Sequence, residues 1–169
     1  MNISNNTLAL PSRLLGSNLV PATGTVVVTE EVLHSIFIPT RRVILGDILH
    51  IYSSLVTNST ADDKTFRIYF SADGNVAGAA KIATANYTAN AMSTHISRFV
   101  PIISDVLADS YGSVTASTAS EYSFIAASAS ANITVPSVSA GFYVLITGQK
   151  ETSTDTDTVR WTTISQYKP

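Results

Sequence analysis

Residues 33–71 constrain this chain more than any other stretch, because LHSIFIPTRRVILGDILHIYSSLVTNSTADDKTFRIYFS alternates apolar and polar residues along three short runs. Side chains of a β-strand point to opposite faces with a period of two. Across residues 48–55 one face takes Leu49, Ile51, Ser53 and Leu55, and the other Ile48, His50, Tyr52 and Ser54; the first is the core face. Across residues 65–70, Phe66, Ile68 and Phe70 fall together, with Thr65, Arg67 and Tyr69 opposite. Consecutive matches to the strand template outweigh a helical reading. The segments between the runs, Leu45-Gly46-Asp47 and residues 58–63, tolerate turn geometry or hydrogen-bond their own backbone. The three runs read as one sheet of an antiparallel sandwich.

The same pattern continues along the chain. Further strands are expected at 25–29, 79–85, 93–104, 120–129, 131–135, 141–149 and 158–167, with an Asp73-Gly74 turn after the third run. Pro101 calls for an edge position or a bulge, and residues 105–111 read as a single helical turn. Strands at this interval without intervening helices make an all-β sandwich or barrel. Residues 1–24 read instead as an extended N-terminal arm, since Pro11, Gly16, Pro21 and Gly24 interrupt short apolar clusters and oppose a regular element. The remaining 25–169 form a single β-sandwich domain, a size that buries a proper core. The leucines of the arm, with Val20, are the candidate partner-docking residues: Leu8, Leu10, Leu14, Leu15, Leu19 and Val20.

Composition narrows the function. Charged residues are 13% of the chain while 43 of its 169 residues are Ser or Thr, a surface suited to packing against copies or partners, or to binding sugar. A net charge of −2 gives no basic footprint for nucleic acid. The absence of cysteine removes disulfides and thiolate metal sites. No apolar run approaches the roughly 18 residues of a membrane span, and the N-terminus lacks the layout of a secretory signal, so synthesis in the cytosol is expected.

No nucleophile elbow, zinc-protease motif, P-loop or dinucleotide fingerprint occurs, and the chain is read as a non-enzyme without cofactor. His34, His50 and His95 lack the carboxylate company of a zinc site and read as ordinary surface or half-buried histidines. Asp62-Asp63 and the acidic run 151–157 lack the spacing of a calcium loop and read as solvated turns. Among the aromatics, Tyr52, Tyr69 and Trp161 could form a stacking platform, against the plainer reading of core or interface packing.

Ile38-Pro39, Gly46-Asp47, Ile48-Leu49-His50-Ile51 and Thr65-Phe66-Arg67-Ile68-Tyr69-Phe70 follow one another in an order that resembles structural proteins of tailed bacteriophages. Tyr143-Val144-Leu145-Ile146-Thr147-Gly148-Gln149, the loop with Asp157-Thr158 and the last strand through Trp161 and Ile164 are similar too. The resemblance implies a jelly-roll-type β-sandwich in a head-decoration, fibre, tail or appendage component of the virion, without catalytic residues. It implies partners that are copies of the chain, as a trimer, and other virion proteins; the charge balance and the lack of a long apolar run add the expectation of no nucleic acid and no membrane. The alternative is a carbohydrate- or receptor-binding module with Tyr69 and Trp161 contacting a host-surface glycan.

Overall fold

The computed structural model describes residues 12–25, 28–58, 62–88, 92–115, 122–123 and 130–168. Among these residues twelve strands are seen: β1 (Ser12–Asn18), β2 (Ala22–Thr23), β3 (Glu31–Ile38), β4 (Ile48–Thr57), β5 (Asp63–Ser71), β6 (Ala80–Thr88), β7 (Met92–Ser104), β8 (Leu107–Thr115), β9 (Tyr122–Ser123), β10 (Ser130–Thr134), β11 (Phe142–Lys150) and β12 (Asp157–Tyr167). They form two sheets, a larger one in the order β1-β12-β4-β7-β8-β10, with β2 on β12 and β9 on β8, and a smaller one in the order β3-β11-β5-β6. Every pairing is antiparallel. The chain is an antiparallel β-sandwich. The pairs β1·β12, β3·β11, β4·β7 and β5·β6 nest like the two arms of one long hairpin, and β12·β4 with β11·β5 roll that hairpin into the two sheets.

The core is the pair of inner faces read from the alternation. Leu49, Ile51 and Leu55 of β4 and Phe66, Ile68 and Phe70 of β5 are all fully buried. Val159 and Ile164 of β12, Ile96 and Val100 of β7 and Phe142, Val144 and Ile146 of β11 belong to the same cluster. The three consecutive runs do not share a sheet, however. β4 lies in the large sheet between β12 and β7, while β3 and β5 lie in the small one on either side of β11. Alternation reports which face of a strand is buried and is silent about which strand lies beside it.

Residues 12–18 correct the expectation that the N-terminal region holds no regular element. β1 pairs with β12 from Ser12 opposite Tyr167 to Asn18 opposite Thr162, with an irregularity between Leu14 and Gly16. The breakers delimit this strand rather than prevent it. Pro21 lies between β1 and β2, and at Gly16 a Cβ would come within 2.6 Å of Ile36 Cγ2, so only glycine lets β1 lie this close to β3. One further expectation changes, and that for Pro101 is met by an irregular ladder and not by an edge position. Residues 105–111 are not a helical turn but a β-hairpin, with Asp105-Val106 linking β7 to β8. Pro101 lies in an interior strand opposite Ile48, where the ladder to β8 has no partner for it and shifts between Ile102 and Ser104, which accommodates the missing N–H. Of the strand expected at 25–29, positions 25, 28 and 29 are described and lie outside any strand, and most of that expected at 120–129 lies outside the described residues.

Between β2 and β3 the chain passes from the large sheet to the outer side of the small one, and Glu30 fastens it there. Its carboxylate accepts hydrogen bonds from Thr147 Oγ1 at 2.5 Å and Tyr69 Oη at 3.4 Å and pairs with Arg67 Nη1 at 3.3 Å. Glu31 accepts from the Thr25 backbone N and Oγ1. Replacing Glu30 by alanine is expected to cost about 1–2 kcal/mol, the scale of a charge-assisted hydrogen bond that water reaches in part. Urea unfolding measures it, and an unchanged midpoint would mean the crossover is held elsewhere.

Candidate functional site

The outward face of the large sheet is built by the residues left over when the core is assigned. β4 presents Ile48, His50, Tyr52 and Ser54, β12 presents Trp161, Thr163, Ser165 and Tyr167, and β7 presents His95, Ser97 and Phe99. Register brings these together: His50 faces Phe99, Tyr52 faces Ser97 and Thr163, and Ser54 faces His95 and Trp161. Two rows of rings run across the strands. In the first, Tyr52 stacks on Trp161 and on His95, each at 5.1 Å between centroids and within 17° of parallel. In the second, His50 stacks on Phe99 at 4.4 Å and 7°, with Tyr167 tilted at 6.3 Å from His50.

Near-parallel rings at these centroid distances stack with an offset. Tyr52 has both faces occupied, and Trp161 ends its row.

None of these eleven outward positions carries Asp, Glu, Lys or Arg. His50 and His95 are shifted below the ordinary histidine range by burial, so the face is uncharged at neutral pH; His50 Nε2 shares a 2.8 Å hydrogen bond with Ser97 Oγ. Arg160 lies at its margin, its Nη1 donating to Ser93 Oγ at 3.3 Å.

The residues singled out in the sequence are scattered relative to this face. Trp161 and Tyr52 belong to it. Tyr69 does not: it lies on the outer side of the small sheet, 8% exposed, with its hydroxyl on Glu30, so it presents no ring to a ligand. Leu14, Leu19 and Val20 are 60%, 67% and 72% exposed, whereas Leu15 is half-buried and packs against the core. Leu8 and Leu10 lie outside the described residues. The histidines do not converge. His34 points inward from β3 and bridges the sheets, its Nδ1 2.9 Å from Thr162 Oγ1 and its Nε2 2.9 Å from the Val20 carbonyl. The two acidic stretches do meet, at the end of the sandwich, where Thr152 Oγ1 donates to Asp62 and the Asp63 amide to Glu151. Asp155 and Asp157 are buried beside lysines rather than solvated. No group of three or more His, Asp or Glu able to hold a metal is found among the described residues, and no helix among them is long and apolar enough to cross a membrane.

Sequence reasoning missed His95, Phe99 and Tyr167 as members of the face. The available signal is local: each occupies an outward position of its strand, two or four residues from another outward residue of the set, while the pairing that brings the strands together is not read from it.

His34 also supplies a pH dependence. Burial holds its pKa below 6.5, with the Val20 carbonyl opposing in part. Unfolding restores the ordinary value, so the unfolded chain binds more protons just below pH 6.5 and stability falls as pH drops through that window. His50 and His95 act in the same direction. The urea midpoint is therefore expected to be lower at pH 5 than at pH 8, with a smaller difference in His34→Gln; an equal difference would place the effect on the other two.

No known family matches the chain, and no curated protein does. Solved structures give distant likenesses. One is the CBM2 module of the evolved Dit of Lactobacillus casei BL23 phage J-1, at 6% identity, covering 78% of this chain and 67% of that one with a TM-score of 0.35. Another is the VP2 subviral particle of infectious bursal disease virus, at 12% identity and a TM-score of 0.32, where 94% of this chain spans 42% of the other. The Gx strain of that virus gives 13% identity, 94% and 40% coverage and a TM-score of 0.30. The sandwich assignment rests on the strand pairing, not on these scores.

Proposed function

We propose that this chain is a non-enzymatic structural component of a tailed-phage virion, of jelly-roll type, that assembles as a homo-oligomer, with a trimer favoured, on the capsid or tail. The observation that carries this reading is the outward face of the large sheet, lined with aromatic rings and hydroxyls, with no carboxylate or basic side chain at its eleven named positions and Arg160 at its margin. Such a face meets another surface without desolvating ions, the costly part of burying a polar contact. The nested pairs β1·β12, β3·β11, β4·β7 and β5·β6 support the jelly-roll assignment, and the phage-like run of residues 33–71 supports the source. Among the described residues of the N-terminal region, the exposed Leu14, Leu19 and Val20 on and after β1 are available to a neighbouring subunit or another virion protein.

The absolute mass of the purified protein by light scattering tests the assembly. The chain is expected to be a stable oligomer, and Tyr52→Ser combined with Phe99→Ser to give monomers with an unchanged circular dichroism spectrum. A wild-type monomer at high concentration would overturn self-assembly through this face.

One observation favours the second reading, a carbohydrate-binding module: Trp161 ends its ring row, where a sugar could stack. Binding on a glycan array that Trp161→Ala removes while leaving the fold intact would establish it.

A further inference from the structure

Two lysine–aspartate pairs are buried at the end of the sandwich that holds the 151–156 loop, and they are built differently. Lys64 Nζ lies 3.5 Å from Asp155 Oδ1 with both side chains at most 1% exposed, and Asp155 also accepts a hydrogen bond from the Thr152 amide at 3.3 Å. That donor favours a carboxylate. Lys150 Nζ lies 3.6 Å from Asp157 Oδ1, at 3% and 1% exposure, yet neither oxygen of Asp157 has a hydrogen-bond partner among the described residues. The Lys150 amine is steered toward the pair by the carbonyl oxygens of Gly24 and Thr25. Gly24 and Gly148 close the two sides of the Asp157 carboxyl so tightly that a Cβ at either would collide with it.

An amine and a carboxyl held in contact and out of water have an exit from the cost of burying two charges. Burial, with the nearby negative charge of Glu31, favours the acid form of Asp157, against the pull of Lys150 and of the residue's own backbone N–H. Moving one proton from the ammonium to the carboxylate gives a neutral amine beside a neutral acid, the two forms that react. Their fixed proximity replaces the encounter that makes such a condensation slow in solution.

We propose that Lys150 and Asp157 become joined by a side-chain amide that ties the end of β11 to the start of β12. The Nζ lone pair attacks Cγ of Asp157 and the Nζ–Cγ bond forms. The Cγ–OH bond breaks, one amine proton leaves with that hydroxyl as water, and the remaining proton stays on the amide nitrogen. No oxidant or other reactant is consumed. The Lys64–Asp155 pair, with its carboxylate held by Thr152, stays ionic.

The intact mass of the denatured protein tests this directly. The wild type is expected to weigh one water less than its sequence, not two, and fragment spectra to place the link on Lys150 and Asp157. Lys150→Arg should restore the full mass, and Asp157→Asn should lose ammonia in place of water through the same attack. A wild type of full mass after prolonged incubation of the folded protein would overturn the proposal. So would a loss of water that persists in Lys150→Arg, since that places the dehydration in a cyclic imide at an aspartate.

Discussion

Lys64→Met is expected to lower the stability of the fold by about 3–5 kcal/mol, the cost of leaving one member of a buried ion pair without its partner. Lys64 is 1% exposed and Asp155 4%, and the ammonium also donates to the Asp62 carbonyl at 2.7 Å. Losing it strands a carboxylate that water does not reach. Changing both partners, Lys64→Met with Asp155→Leu, should recover most of the loss, because the charge to be desolvated disappears with its counterion. Urea unfolding of the two variants, with equal slopes, checks the pair. A cost below about 1 kcal/mol for the single change would be that of a surface pair and would mean solvent enters this end.

Phe70→Ala is expected to cost a similar amount, about 3–5 kcal/mol, for a different reason. Phe70 is fully buried and its ring lies 4.7 Å from that of Phe142 at 44°. Truncation removes apolar area from the core and opens a cavity between neighbouring strands that the ladder cannot close. Phe142→Ala should behave alike. The double variant should show a coupling of about 0.5–1.5 kcal/mol beyond the sum of the parts; strict additivity would mean that the two rings act independently.

The inner faces were legible in the sequence because alternation is a local property. Leu49, Ile51 and Leu55, and Phe66, Ile68 and Phe70, are buried as the period of two requires. What alternation could not give was partnership. β4 and β5 follow one another in the chain but lie in opposite sheets, because each finds its neighbours far away, β4 in β12 and β7, β5 in β11 and β6. The candidate face suffered the same loss. Tyr52, His95 and Trp161 stack only once β4 lies between β7 and β12, so three outward residues from distant strands gave no joint signal. Tyr69 misled for the converse reason: its strand position is outward, but Glu30, 39 residues away in the chain, lies against it. The lysine–aspartate pairs were hidden because acidic turn residues read as solvated until Lys64 and Lys150 are brought beneath them.

The pairing of β1 with β12 has a mechanical consequence. Ser12 lies opposite Tyr167, so the chain enters and leaves this pair at the same end. Tension applied through the segments before residue 12 and after residue 167 would meet the ladder at its open end and part its hydrogen bonds one after another, as a zipper opens, instead of shearing them together. β1 would peel first, since β12 is gripped on its other side by β4 while β1 has a single neighbour in its sheet among the described strands. A sandwich of this connectivity yields readily to a pull along its own chain and resists one delivered across its sheets, where whole rows of bonds and the packed interior must fail at once.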